Sequence, residues 1–345
     1  MSIRSFVVFV LFCFATIETM AQTPDSIEMQ KPQKENLGKR LDKKLAARYF
    51  SSKYDTNYVV RPVERWLLKP SLNVSGTSIH AKGTVNDVWS KYDLHTSLNT
   101  NISLEVDYCD LALSLSINPA KMHGTYNDYE FNFEYHGNQL SFDLNYQKCT
   151  SLKGDINLGS IKRLEEDALN MKVFTLTAYY TFNHRHFSFP AAFYQNYIQR
   201  RSAGSWLAGL TFQSGCIRTT DELKARHQEQ EVPEVHIDAA HLGIGGGYGY
   251  NFVFGKNSQW LLHISAMPTV VVYNHNRLYV NDGRIGASRM RFNMIFNERA
   301  AAVYHFSERC FAGATLMMSN SVFDDKAVVI NQNKGIAHAF VGIRL

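Results

Sequence analysis

The sequence predicts an all-β protein: an antiparallel transmembrane β-barrel of about 12 strands with a short N-terminal helical segment. Three observations predict it. The stretch Tyr129–Tyr146 alternates apolar and polar residues through two strands. Twelve strand-like runs follow one another from residue 71 to residue 345. The links between those runs alternate short and long. An outer-membrane barrel puts apolar side chains to lipid and polar ones to its lumen, with tight periplasmic turns and wide outer loops. A soluble sandwich has no reason to alternate its link lengths.

In YEFNFEYHGNQLSFDLNY, Tyr129, Phe131, Phe133 and Tyr135 alternate with Glu130, Asn132, Glu134 and His136. Leu140, Phe142, Leu144 and Tyr146 then alternate with Ser141, Asp143 and Asn145. Gly137-Asn138 between them suits a two-residue primed turn. That turn sets Tyr135 against Leu140, Phe133 against Phe142, Phe131 against Leu144 and Tyr129 against Tyr146. The polar face then pairs Glu134 with Ser141, Asn132 with Asp143 and Glu130 with Asn145.

Residues 1–21 are expected to be a cleaved signal peptide. Arg4 is its basic end, Phe6–Ala15 its short apolar core, and Ala21 the small residue at the cleavage position. Cys13 lies inside the apolar core after Phe12, so no lipid anchor is expected. Residues 22–70 are expected to form a periplasmic N-terminal segment, and residues 71–345 the barrel. Gln22–Asn36 is polar and predicts no packed structure. Leu37–Phe50 predicts a helix: Leu37, Leu41, Leu45 and Phe50 fall near one side, and Lys39, Arg40, Lys43, Lys44 and Arg48 elsewhere. It is read as a solvated helix docked on the domain, or as an attachment to anionic lipid or a partner. Tyr54–Pro70 is extended by its proline spacing.

Composition narrows the class. The net charge of +5 is mildly basic and is not the footprint of a nucleic-acid binder. The 22 Phe and 18 Tyr far outnumber the 4 Trp. After the signal there is no apolar run of about 18 residues, so no membrane helix is expected. Cys109, Cys149, Cys216 and Cys310 have spacings that suit neither a metal site nor a dense disulfide framework. They are expected as unpaired thiols, with Cys149–Cys216 as the alternative. No cofactor or metal is expected. The expected partners are outer-membrane lipid, the barrel-assembly machinery and a small polar or anionic ligand.

The twelve runs are 71–80, 94–106, 111–118, 129–136, 139–147, 171–183, 204–217, 241–254, 260–273, 289–306, 310–319 and 335–345. With the N-terminus in the periplasm, the second, fourth, eighth and tenth links should be short turns. They are Asp107–Asp110, Gly137-Asn138, Gly255–Gln259 and Ser307–Arg309. The third, fifth, seventh, ninth and eleventh links have ten or more residues each. One link breaks the rule: the sixth, His184–Ala203, should be short and has 20 residues. The last run, AHAFVGIRL, resembles the closing strand of outer-membrane barrels but ends on Leu345 where an aromatic is usual.

Candidate functional residues follow from the faces. Glu105, Glu130, Glu134 and Asp143 are expected to point into the lumen from the second, fourth and fifth strands. Arg289, Arg291 and Arg299 are expected to face it from the tenth strand. Acid against base across a pore makes a transverse field, and a closed lumen of paired charges would use the same residues. Gly243, Gly245, Gly247 and Gly249 form an inward glycine stripe, read as a groove for a docked segment or as curvature at a barrel corner. The sixth link carries Phe187, Phe189, Phe193, Tyr194 and Tyr197, which are too aromatic to stay in water. It is expected to fold inward as a plug, helical over Ala191–Arg201, with Arg200 or Arg201 reaching lumen carboxylates.

An enzyme is the competing class. His-x-Ser triplets on a barrel strand serve outer-membrane lipid hydrolases, the His acting as base to the Ser nucleophile. The chain has His186-Phe187-Ser188, His263-Ile264-Ser265 and His305-Phe306-Ser307. By alternation His263 and Ser265 share the lumen face. No Walker loop, dinucleotide fingerprint or zinc spacing occurs. The reading favoured is passage or binding of a small polar or anionic solute. The alternatives are a lipid-acting hydrolase and a non-transporting structural or surface-interaction barrel.

The segments FSFPAAFYQNYIQRRSAGSWLAG (Phe187–Gly209) and YDTNYVVRP resemble a family of uncharacterised Gram-negative secreted proteins, filed as a domain of unknown function. The resemblance covers most of the chain after the signal. It implies an outer-membrane barrel and no particular reaction.

Overall fold

The computed structural model describes residues 37–345 apart from 52, 86–87, 120–128, 151, 158–160, 165–167, 221–234, 281–282, 286–292 and 325–327. The expected signal peptide lies outside the described residues, as do Arg289 and Arg291. The chain divides into two compact units, Met1–Lys44 and Leu45–Leu345. Helix α1 (Leu37–Phe50) covers the residues that the leucine spacing predicts.

The second unit is a β-barrel wall. In chain order its elements are β1 (Val59–Val60), β2 (Trp66–Val85), β3 (Val88–Thr96), β4 (Asn99–Tyr108), β5 (Leu111–Ile117), β6 (Tyr129–His136), β7 (Leu140–Cys149), β8 (Leu152–Asn157), β9 (Ile161–Leu164) and β10 (Leu169–Thr181). There follow α2 (Phe189–Phe193), β11 (Ile198–Gln199), β12 (Ala203–Thr219), β13 (Val235–Phe254), β14 (Trp260–Val280), β15 (Gly283–Ile285), β16 (Met294–His305), β17 (Cys310–Asp324) and β18 (Val328–Arg344).

The antiparallel ladder runs β5–β4–β2–β18–β17–β16–β14–β13–β12–β10–β7–β6. β3 and β4 pair with successive stretches of β2 and act as one interrupted strand. The wall therefore has the twelve strands that the sequence predicts. Its two edge strands, β5 and β6, are consecutive in the chain. Above that seam the hairpin β8–β9 pairs with β3.

The faces explain why this sheet suits a membrane. On β14, Leu261, His263, Ser265, Met267 and Thr269 are buried, while Leu262, Ile264 and Val270 are exposed. On β12, Ser205, Thr211 and Gln213 are buried, while Trp206, Leu210 and Phe212 are exposed. Polar side chains inside and apolar ones outside invert a soluble core and match a lipid-facing wall. Aromatic rings cluster at the turn ends: Trp66 with Tyr108 at 4.5 Å, Trp260 with Tyr304 at 4.6 Å and Tyr304 with Phe306 at 4.9 Å. Such girdles sit where lipid meets water.

Three expectations are corrected. The first hairpin is paired two residues away from the predicted register: Tyr135 faces Phe142, Phe133 faces Leu144 and Phe131 faces Tyr146. Glu134 consequently faces Asp143, Asn132 faces Asn145 and Glu130 faces Gln147. The turn closes with Gly137 N–H donating to Leu140 O at 2.9 Å, around Asn138-Gln139. Both turn side chains are tethered, Asn138 Nδ2 to His184 O at 2.6 Å and Gln139 Nε2 to His184 Nε2 at 3.0 Å. A slip of two leaves every side chain on its face, so face patterning could not detect it.

The second correction concerns the outer links. Much of their length is strand: β17 pairs with β18 as far as Asp324↔Val329, and β12 with β13 as far as Arg218↔His236. Above the apolar band both faces meet water, so the alternation fades while the backbone pairing continues. The third is the helix expected over Ala191–Arg201. It is α2, shorter and earlier, followed by β11. Ser188 Oγ caps it by accepting from Ala191 N–H at 3.2 Å, and Pro190 sits in the first turn, where no N–H is needed. Gln195, with φ 61°, ends it.

Candidate functional site

The site is built where the sixth link folds into the barrel. Phe187, Phe189 and Phe193 are buried against Leu207, Leu261, Met267, Ala301, Val303, Phe311 and Phe340 of the inner wall. Burying such rings stabilises by roughly 1.5–3 kcal/mol each, which is why the link turns inward rather than into solvent. Its far end is held by two strand residues: Val59 pairs with Gln199 and Val60 with Ile198. Tyr54 stacks edge-on against Tyr197 at 4.9 Å.

Polar contacts fix the position. Asn251 Nδ2 donates to Ser188 O and to Gln199 Oε1, both at 3.0 Å. Ser188 N–H donates to Gln199 Oε1 at 3.1 Å, and Gln199 Nε2 donates to His186 O at 2.6 Å and Arg201 O at 2.9 Å. From the last strand, Arg344 donates twice to Gln195 O, at 3.1 and 2.7 Å, and once to Glu308 O at 2.6 Å. Lys69 Nζ reaches Gln195 Oε1 at 3.4 Å and Glu105 Oε1 at 3.0 Å. At the short-turn end of the barrel Arg61 grips Asp110 with two bonds, at 2.9 and 2.8 Å, and stacks on Tyr49 and Tyr197. Asp110 belongs to a turn with φ of 52° at Cys109 and 68° at Asp110, the geometry of a primed hairpin turn.

Outside the wall strands, burial pushes the Tyr49 hydroxyl up to about 12, against the pull of Arg61. The same cause raises Tyr54 further. Asp55 is lowered, first by accepting the Asn57 N–H at 2.9 Å.

Above the link the lumen holds ion pairs. Lys334 Nζ meets Glu130 Oε1 at 3.0 Å, and Arg299 meets Asp143 and the Tyr179 hydroxyl. With Lys69–Glu105, three lumen cations each hold a carboxylate. Glu134 stands opposite Asp143 on the neighbouring strand. A cavity of about 110 Å³ lies among Glu134, Asp143, Thr177, Gln213, Arg299 and Lys334. Among β2, β3, β7, β8 and β10, an apolar cluster around Leu94, Leu152, Ile156 and Met171 is buried.

The expected lumen residues Glu105, Glu130, Glu134, Asp143 and Arg299 thus gather in one interior. Arg200 and Arg201 do not join them. Both are exposed: Arg200 lies 3.7 Å from Glu308, and Arg201 lies over the Tyr58 ring. Strand pairing of Gln199 with Val59 turns the next residue out of the barrel. The basic groups that do reach the link from the inner wall are Arg344 and Lys69, with Arg61 at the rim, and sequence reasoning missed all three. For the first two the signal was available: both sit at inward positions, Arg344 between outward Ile343 and Leu345, Lys69 between Leu68 and Pro70.

The glycine stripe divides. A side chain at Gly249 would meet the Phe187 ring at 3.0 Å, so here the link approaches the wall. At Gly243 and Gly245 it would meet Thr269, and at Gly247 the Ala266 carbonyl. Those three belong to wall curvature, beside a register shift at Leu242/Gly243.

The His-x-Ser triplets also divide. Ser188 is the buried cap of α2, and Ser307 Oγ accepts the N–H groups of Arg309 and Cys310 in a turn. His263 is different. Its Nδ1 lies 2.7 Å from Asn251 Oδ1 and its Nε2 2.9 Å from Ser265 Oγ. Hydroxyl, imidazole and amide form a chain in the order that nucleophile, base and orienting group take in a catalytic triad. All three are buried, and Phe187, Phe189 and Phe193 pack around the imidazole at 5.1–5.8 Å. Among the described residues Cys109, Cys149, Cys216 and Cys310 form no disulfide with one another.

A twelve-stranded antiparallel wall, apolar outside and polar inside, defines a β-barrel of the outer-membrane type. Residues 53–344 match a family described as a domain of unknown function, DUF4421, and the chain belongs to that family. Comparison with curated proteins gives no sequence match. Among solved structures, the chain is similar to the outer membrane protease OmpT of Escherichia coli, with 9% identity, 84% of this chain and 100% of that chain covered, and a TM-score of 0.41. It is also similar to the translocator domain of the autotransporter NalP of Neisseria meningitidis (7% identity, 89% and 94% covered, TM-score 0.31). A third is the outer membrane protein OprG of Pseudomonas aeruginosa (8% identity, 83% and 97% covered, TM-score 0.29). At these values the likenesses bear on neither reaction nor ligand.

Proposed function

We propose that the protein is an outer-membrane barrel that admits a small polar solute to its lumen and is gated by the link between β10 and β12. The supporting observation is the link itself, folded into the lumen and anchored by Asn251, Arg344 and Lys69 beneath a charged cavity. Because the lining cations Arg299 and Lys334 each already hold a carboxylate, the cavity favours a neutral or cationic solute over an anion. Single-channel recording tests this. Wild type should be nearly closed, and deletion of Ala191–Gln199 should raise conductance with cation preference in a barrel that still shifts on unboiled gels. A correctly assembled deletion as tight as wild type would overturn the gate.

One observation favours a second reading, acyl hydrolysis by Ser265: the Asn251–His263–Ser265 chain. It requires the link to leave, since Phe187 and Phe189 cover the imidazole. A fluorophosphonate probe should then label the deletion variant and not the same variant carrying Ser265→Ala. No labelling of either leaves the chain as an anchor for the link.

A further inference from the structure

The upper ends of β12 and β13 carry a cluster that takes no part in the lumen. Cys216 and Asp238 are register partners, and Arg218 is the partner of His236. Cys216 shares the outward face of β12 with Phe212, whose partner Leu242 marks the upper limit of the exposed apolar band there. His236 and Asp238, two residues apart on one strand, share a face. One ligand atom from each of Cys216, His236 and Asp238 lies within 4.8 Å of the others, and all three residues are half-buried. His236 Nε2 is 3.0 Å from Asp238 Oδ2. Two ligand atoms at that separation are close enough to bind one cation.

We propose that Cys216, His236 and Asp238 form a binding site for a borderline-soft divalent metal ion such as Zn²⁺. Thiolate, imidazole and carboxylate are the ligand types of zinc, and a three-residue set leaves a coordination position open to water or an outside ligand. Cys216 is a free thiol and so is available. Arg218 fits the same assignment. Its Nε lies 3.2 Å from Cys216 Sγ and its Nη2 4.0 Å from Asp238, so a guanidinium occupies the anionic site. Its side chain is 61% exposed and free to swing outward when a metal enters. Arg277, the register partner of Asp238 on β14, is exposed and adds a second positive charge to be displaced.

The test uses the full chain, reduced and purified in detergent, titrated with Co²⁺ and then Zn²⁺. A thiolate-to-cobalt absorption band should appear and should vanish when Zn²⁺ displaces the cobalt. Cys216→Ser should abolish the band, and His236→Ala should weaken binding roughly tenfold or more. Arg218→Ala should tighten binding, the opposite sign, because it removes the competing cation. Each variant must keep the unboiled gel shift of an assembled barrel. No band from wild type, or the same band from Cys216→Ser, would overturn the site. Weaker binding by Arg218→Ala would also overturn it, by making the arginine part of the site rather than its rival.

Discussion

Two stretches of the wall obey one pattern and end in different surroundings. On β12–β14 the inward side chains are buried beneath the folded link, and Asn251, Gln199 and His263 satisfy one another. On β5, Ala112 through Ile117 are exposed on both faces. No β5–β6 register pair occurs among the described residues, and the inner side of that seam is bridged by side chains. Glu130 of β6 accepts from Ser75 at 2.9 Å, Asn99 at 3.3 Å and Lys334 at 3.0 Å. Alternation thus tells which face is inward. What fills the space behind that face decides whether the stretch is rigid wall or an edge held by a few charges.

The largest expected effect breaks the seam. Glu130 and Lys334 are both mostly buried. Lys334→Met strands the carboxylate and should cost about 3–5 kcal/mol in denaturant unfolding from lipid vesicles. Glu130→Gln combined with Lys334→Met should recover most of that loss, since no uncompensated charge remains. Equal losses in the single and double variants would show that the pair does not hold the seam.

The lipid face gives the next effect. Phe131→Arg should cost about 2–4 kcal/mol if the site is near the midplane, and Asn132→Arg on the inner face much less. This contrast is independent of register, which matters because register was the part of the hairpin not legible in the sequence. The alternation of Phe131, Phe133 and Tyr135 gave the faces. The turn moves by one residue, which shifts the register by two, and the choice between Gly137-Asn138 and Asn138-Gln139 depends on His184, which is distant in sequence. The twelve strands, helix α1 and the lumen placement of Glu130, Asp143 and Arg299 were legible, since each follows from periodicity. The Asn251–His263–Ser265 chain and the Cys216–His236–Asp238 cluster were not. Their members come from paired strands, and only the register brings them together.

A smaller effect sharpens the glycine comparison. Gly249→Ala puts a methyl 3.0 Å from the Phe187 ring and 3.2 Å from Ser265 Cβ. It should cost about 1–3 kcal/mol and loosen the link, seen as faster proteolysis at Arg200 and Arg201. Gly246→Ala, whose added carbon meets nothing closer than 3.9 Å, should change neither. If both are neutral, the link does not rest on this wall.

The smallest effect concerns the arginines first expected inside. Arg200 is half-exposed, its partner Glu308 is 84% exposed, and they are 3.7 Å apart. Exposed pairs of this kind contribute about 0–1 kcal/mol, so Arg200→Ala should lie within about 0.5 kcal/mol of wild type and leave conductance unchanged. The reason is geometric. Gln199 is committed to the buried network with Ser188 and Asn251, and strand alternation then forces residue 200 outward. The carbonyl that needs a cation is that of Gln195, freed where α2 ends in a positive φ, and Arg344 supplies it from the last strand. A clear rise in conductance from Arg200→Ala would mean that this arginine, and not Arg344, latches the link, and that the link sits differently in the membrane.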